Sequence, residues 1–347
     1  MAAGTLALLL RTAAVAYPGP YPPGGSCNIN GPQTLCLAAP FSDNAVLQRE
    51  PAQSAITGSV PAGWGTPPMA VTVSLVDEEG SGRGANVSTE IRPDRTWKVL
   101  LPPRPAFGNF SLTARCTHGC AGANASHTAS LLNLTFGDVY VCAGQSNMQL
   151  MLDYTFSVNA SVAAIKQGQY SNIRLFAGPM NFDFATNQTD VFVINADQAG
   201  DAEQNKNQLS TGGWRFPRNL IEAVPNGHNE KPWFNTNEFG KFYATCWYTF
   251  QSLTDSLIAE GQKPPPFGLV AVAVGGTKIA QWVEWDAQAA CSNVTCCVSL
   301  DCTQSPPYPN GPKPYQPITP TNCSGNAALF NGLIAPLVNT TVAGWLW

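Results

Sequence analysis

A serine that leaves a buried strand through a glycine is placed for nucleophilic chemistry, and Ser146 has that setting in FGDVYVCAGQSNM (136–148). VYVCAG (139–144) is short, apolar and β-branched, which predicts a buried strand, and Ser146-Asn147-Met148 opens a segment of helical character. A hydroxyl at such a junction is exposed at the sheet's C-terminal edge. Backbone N–H groups and a helix dipole converge there on any developing oxyanion. The chemistry is acyl transfer: Ser146 Oγ attacks an ester carbonyl and forms an acyl-enzyme. The competing reading makes Ser146 a helix N-cap, a common use of serine after a strand. Gln145 and Asn147 flank it, shape the turn and stand within reach of a bound substrate.

A serine nucleophile needs a general base, and the chain has three histidines. His118 lies between Cys116 and Cys120, His127 lies beside the sequon at Asn124, and His228 sits in a polar loop, PNGHNE. The residues three before them are Arg115, Asn124 and Pro225, so none forms a D-x-x-H element. Of the aromatic residues, Trp214 and Trp233 lie in Gly/Asn/Pro-rich loops and are candidates to stack on sugar faces, whereas Trp282 is expected in the core.

The elements that must position these groups change character along the chain. Residues 17–35 are rich in proline and glycine and read as a leader or linker. AVTVSLVD (70–77), WKVLLP (97–102) and FSLTARC (110–116) are strand-length, alternating or β-branched, and separated by Gly/Pro/Asn punctuation. They predict a small β-sandwich-like domain over 36–135. KFYATCWYTFQSLTDSLIAEG (241–261) predicts a helix with Phe242, Cys246, Thr249, Phe250, Leu253 and Leu257 on its apolar face. PPFGLVAVAVGG (265–276) is a continuous apolar strand suited to a sheet covered on both faces, and TVAGWLW reads as a last buried strand. Strand, helix, strand gives a βαβ rhythm and an α/β domain over 136–347.

Composition narrows the setting. Net charge is −4 with no basic run, which removes the electrostatic footing for nucleic-acid binding. No window approaches the ~18 consecutive apolar residues of a membrane span. Sequons stand at Asn86, Asn109, Asn124, Asn133, Asn159, Asn187, Asn293, Asn322 and Asn339, and there are 11 cysteines. With an apolar start ending Ala14-Val15-Ala16, like a cleaved leader, these place the protein in an oxidising compartment: secreted, or in a lysosomal or endomembrane lumen. The cluster Cys291, Cys296, Cys297 and Cys302 lacks paired C-x2-C spacing, so disulfides are expected there rather than a metal.

GDVYVCAGQSNM resembles the nucleophile block of SGNH hydrolases, in the sialate O-acetylesterase branch. FSDNAVLQREPAQSAITGSVPAG (41–63), FGKFYATCWYTFQSL (239–253), FGLVAVAVGGTKIAQW (267–282), LFNGLIAPL (329–337) and VAGWLW (342–347) resemble further blocks in the expected order. The resemblance implies an α/β fold, with an SGNH-like parallel-sheet domain preceded by the β-sandwich-like one. It implies hydrolysis of carbohydrate acetyl esters, sialic acid foremost, without metal or cofactor. Oxyanion donors would be the Ser146 N–H, a backbone N–H at Gly275 or Gly276, and a side-chain amide from a third block. That block and the D-x-x-H histidine are expected beyond Trp347, so the SGNH domain is read as incomplete and the polypeptide as inactive by itself. Acetylated polysaccharide is the alternative substrate, and a catalytically dead, secreted carbohydrate-binding glycoprotein is the alternative class.

Overall fold

Strands with one apolar face pair antiparallel in the first part of the chain, and apolar strands stack in parallel in the second. The structure, a computed structural model, describes residues 35–38, 40–60, 65, 67–120, 127–177, 213–222, 238–275, 277, 279–283, 330–334 and 337–347. β1 (Cys36–Leu37), β3 (Ala55–Ser59) and β6 (Thr96–Leu100) make a three-stranded antiparallel sheet. A second sheet runs β5 (Ala85–Glu90), β4 (Ala70–Asp77), β7 (Phe107–His118), β8 (Thr128–Gly144), β10 (Phe267–Ala273), β9 (Ile173–Ala177), with β2 (Val46–Gln48) and β11 (Gly344–Leu346) also paired to β8. In β4 the alternation read from AVTVSLVD is realised: Val71, Val73 and Leu75 point into the core.

β8 is the spine. Its first part pairs antiparallel with β7, Thr135–Gly137 pair parallel with β2, and Asp138–Gly144 pair parallel with β10. The change of texture at Phe136 therefore falls inside a single 17-residue strand that both kinds of sheet share. Three polar contacts tie the joint. Arg49 makes a two-pronged pair with Asp138, at 2.8 and 2.9 Å. The Gln48 side chain accepts the Val139 N–H at 2.9 Å. Buried Arg174, on β9, donates to the carbonyls of Asn44 (2.8 Å) and Asn133 (2.6 Å) and lies over the Phe216 ring. Desolvation lowers the Arg174 pKa to about 10. Gly137 permits a close approach, since a side chain there would strike the Pro266 carbonyl.

The helices are α1 (Ser146–Gln149), α2 (Val158–Lys166), α3 (Pro217–Glu222) and α4 (Ala244–Ala259). In α4 the buried face is Ala244, Cys246, Trp247, Phe250 and Thr254. Thr249 and Leu253 are exposed, contrary to the expected face. Trp247 turns the helix: its ring packs edge-on against Tyr170 and Phe239, and its N–H reaches Ser161 and Gln251. β10 is buried at every position, as a strand flanked by β8 and β9 should be. β11 is less buried than the sequence suggested. It pairs with β8 alone among the described strands, and Trp345 remains 46% exposed.

Two disulfides are present among the described residues, Cys116–Cys120 and Cys142–Cys246, and Cys36 is disulfide-bonded as well. The Cys291–Cys302 cluster lies outside the described residues. Among the described residues, no helix is long and apolar enough to cross a membrane.

Candidate active site

Gly144 makes the site possible. It ends β8 at φ +145°, a backbone conformation favouring glycine, and a Cβ there would press on Met148 at 3.3 Å. The chain turns at once into α1. Gln145, not Ser146, is the N-cap, and it makes no side-chain capping bond. Ser146 is thus the first helical residue, and the competing reading of it as a cap fails. The expected dipole contribution needs correction too, because α1 is a single four-residue turn. Gln145, Ser146 and Asn147 are all exposed at the C-terminal edge of the parallel strands, while Met148 anchors the turn in the core. The Ser146 hydroxyl makes no hydrogen bond to any described residue.

Two neighbours hold α1. On one side, the segment after it pairs with the chain entering α4: Leu152 N–H donates to Phe242 O (2.9 Å) and Ala244 N–H to Leu150 O (2.7 Å). The Thr245 hydroxyl reaches the Asn147 carbonyl at 3.4 Å. Tyr243 supports this from below. Ala177 of β9 pairs with Ala271, and two residues further on the buried Tyr243 hydroxyl bonds both the N–H and the carbonyl of Ala273, each at 3.2 Å. Its burial raises the phenol pKa, so it stays a neutral donor–acceptor.

On the other side, Val274 N–H donates to Gly144 O at 3.0 Å, which brings Gly275 against Ser146. A Cβ on Gly275 would lie 3.4 Å from Ser146 Cβ and 3.0 Å from Gln149 Oε1. Of the two glycines read as oxyanion donors, Gly275 is therefore beside Ser146. Its N–H, however, is donated to Gln149 Oε1 at 2.6 Å, so this amide is already engaged and is not presented to an oxyanion. Gly276 and Trp233 lie outside the described residues.

Trp214 is corrected outright. It is buried to 2% exposure, its indole N–H donates to Pro40 O at 2.7 Å, and its ring packs on Phe176. It is a core residue and cannot stack on a sugar. Trp282 is buried as expected, with its N–H on Thr277 Oγ1 at 2.9 Å. His118 ends β7 and His127 precedes β8. The 17 residues of β8 separate His127 from the turn at Gly144, on the order of 50 Å of strand, so it cannot serve as the base. His228 lies outside the described residues.

Two residues shortly after Ser146 in the chain escaped the sequence reading. Gln149 is one. Asp153 is the other: it is half-buried against the Gly240 backbone, and its Oδ1 has no hydrogen-bond partner among the described residues. Burial pushes its carboxyl up to about 6, assisted by Glu238 and opposed by Lys241. Because the folded state holds this proton more tightly than the unfolded chain, the contribution of Asp153 to stability is greatest below about pH 4 and is lost as pH rises through 6. Asp153→Asn should then stabilise the protein at pH 7.5 by about 1 kcal/mol, after allowance for solvent screening. Denaturant melts at pH 7.5 and pH 4 check this. The gap should close at pH 4, and a variant less stable at pH 7.5 would contradict it.

Comparison with known proteins shows what the chain is similar to. The chain is 27% identical over 312 residues to sialate O-acetylesterase from Homo sapiens, covering 90% of this chain and 47% of that one. It is 28% identical over 320 residues to sialate O-acetylesterase from Mus musculus, covering 89% and 50%. The chain resembles the sialate O-acetylesterases. Among solved structures, a carbohydrate acetylesterase from Xanthomonas citri shares the fold, with a TM-score of 0.52 and 21% identity over 90% of this chain and 51% of that one. No family model matches. The chain spans about half the length of the curated relatives it matches. Along that span it carries Ser146 on the strand-to-helix turn described above.

Proposed function

We propose that the protein acts on acetylated carbohydrate as a serine O-acetylesterase, with Ser146 the nucleophile. The observation that carries this reading is the exposed Ser146 on a Gly144-enabled turn at the C-terminal edge of a parallel sheet, with Gly275 packed beside it. Attack of Ser146 Oγ on the acetyl carbonyl forms the acetyl-enzyme and releases the sugar hydroxyl, and water then releases acetate. The Ser146 N–H and the Gly276 N–H are the proposed backbone donors to the oxyanion. Gln145 and Asn147, exposed on either side, are the proposed sugar contacts. Sialic acid is the substrate class suggested by the names of the curated relatives. No D-x-x-H occurs in the 347 residues, so that element does not supply an acid–base histidine here. A secreted or lumenal setting is supported by the disulfides and by exposed sequon asparagines at Asn86, Asn109 and Asn159.

The acyl-enzyme is the quantity to measure. With p-nitrophenyl acetate and imidazole as a dissolved base, peptide mapping by mass spectrometry should find acetyl on the peptide containing Ser146. Ser146→Ala should remove it and leave the melting temperature nearly unchanged, because the exposed hydroxyl bonds to no described residue. Acetylation confined to lysines would overturn the assignment.

A further inference from the structure

The bond between Gln149 and Gly275 joins two segments that are far apart in sequence and adjacent in space. Gln149 closes the nucleophile turn, three residues after Ser146, and Gly275 follows β10. Only an oxygen can accept the Gly275 N–H, which fixes the orientation of the Gln149 amide. The contact is short, at 2.6 Å, and partly shielded from water. Gly275 is a glycine for room rather than for backbone freedom. A side chain there would crowd Gln149 Oε1 at 3.0 Å and Ser146 Cβ at 3.4 Å. The same turn is latched on its far side, where the Thr277 hydroxyl donates to the Val274 carbonyl at 2.7 Å and accepts the Trp282 N–H.

We infer that Gln149 is a positioning residue whose side-chain carbonyl holds the turn after β10 against the nucleophile turn, and so sets the distance between Ser146 and the backbone that faces it. The inference rests on the acyl-transfer reading for its consequence, but the contact itself does not depend on it. With the Gly275 N–H held by Gln149, the turn cannot swing to offer that amide to an oxyanion. Losing the acceptor frees the turn, and a small displacement of facing groups costs rate out of proportion to stability.

Two substitutions separate the acceptor from the packing. Gln149→Met keeps the length and removes the strong acceptor, whereas Gln149→Glu keeps an acceptor oxygen. Hydrogen exchange at the Gly275 amide should quicken on the order of ten-fold in Gln149→Met and stay near wild type in Gln149→Glu. The rate of Ser146 acetylation by p-nitrophenyl acetate in imidazole should fall by roughly ten-fold in Gln149→Met, with half-saturation little changed, and recover in Gln149→Glu. Should Gln149→Met fail to fold, Gly275→Ala tests the same spacing from the other side and should slow acetylation likewise. Unchanged exchange in Gln149→Met overturns the contact. Quicker exchange with unchanged acetylation overturns the positioning role. If wild type shows no acetylation at Ser146 at all, the acyl-transfer reading falls, and exchange alone upholds or overturns the contact.

Discussion

The 347-residue polypeptide should turn over p-nitrophenyl acetate on the order of 10⁴–10⁶ times more slowly than a sialate O-acetylesterase assayed beside it. Ser146 has its hydroxyl exposed and no base against it among the described residues. His127 is a full strand length away, and His118 ends the neighbouring β7. A neutral serine hydroxyl is a weak nucleophile, and every step that moves its proton then falls to water. Dissolved imidazole should restore part of the rate, and Ser146→Ala should remove the restored part. Steady-state release of p-nitrophenol with and without imidazole measures both. Fast turnover that is lost in Ser146→Ala without imidazole would show that a base resides in this polypeptide. His228→Ala would then be the variant to make.

The second large effect is on stability. Cys142 and Cys246 are both buried, their Cα atoms are 5.9 Å apart, and the bond closes a loop across 104 positions. It joins the strand that delivers Ser146 to the helix whose N-terminal end braces α1. A crosslink of that span should stabilise by about 2–5 kcal/mol, chiefly by restricting the unfolded chain. Cys142→Ala combined with Cys246→Ala should lower the melting temperature by roughly 5–15 °C. The cavity left by two sulfur atoms in a close-packed core adds to the loss. The Cys116–Cys120 bridge, with a separation of 4, closes too short a loop to match this effect. An unchanged melting temperature, with both thiols open to alkylation in the unreduced wild type once it is unfolded, would contradict the assignment.

Much of the architecture was legible before any coordinates. AVTVSLVD alternates, and β4 occupies the same residues. The unbroken apolar run after Pro266 becomes a strand buried at every position, because it lies between two parallel neighbours. The turn at Gly144-Gln145-Ser146 was legible for a local reason. An apolar strand that ends in glycine and polar residues must emerge at a sheet edge. Such signals are written in neighbouring residues, so the sequence alone determines them.

What it did not show is which groups meet when the chain folds. The apolar face of α4 was set by where Trp247 finds Tyr170, Phe239, Ser161 and Gln251, which displaced Leu253 to the surface. Trp214 sat in a loop-like stretch of sequence, yet Pro40 and Phe176 make it core. Gly275 had the right place for an oxyanion donor, but its N–H belongs to Gln149, and only the packed turn shows which acceptor reaches it first. Asp153 is an ordinary acid in the sequence and becomes a proton-holding one only when Gly240 closes over it. Local pattern chose the elements and exposed Ser146. The tertiary structure decided which hydrogen bonds are taken, which rings are buried and which charges lose their water, because each of those is a competition among groups that meet only after the chain has folded.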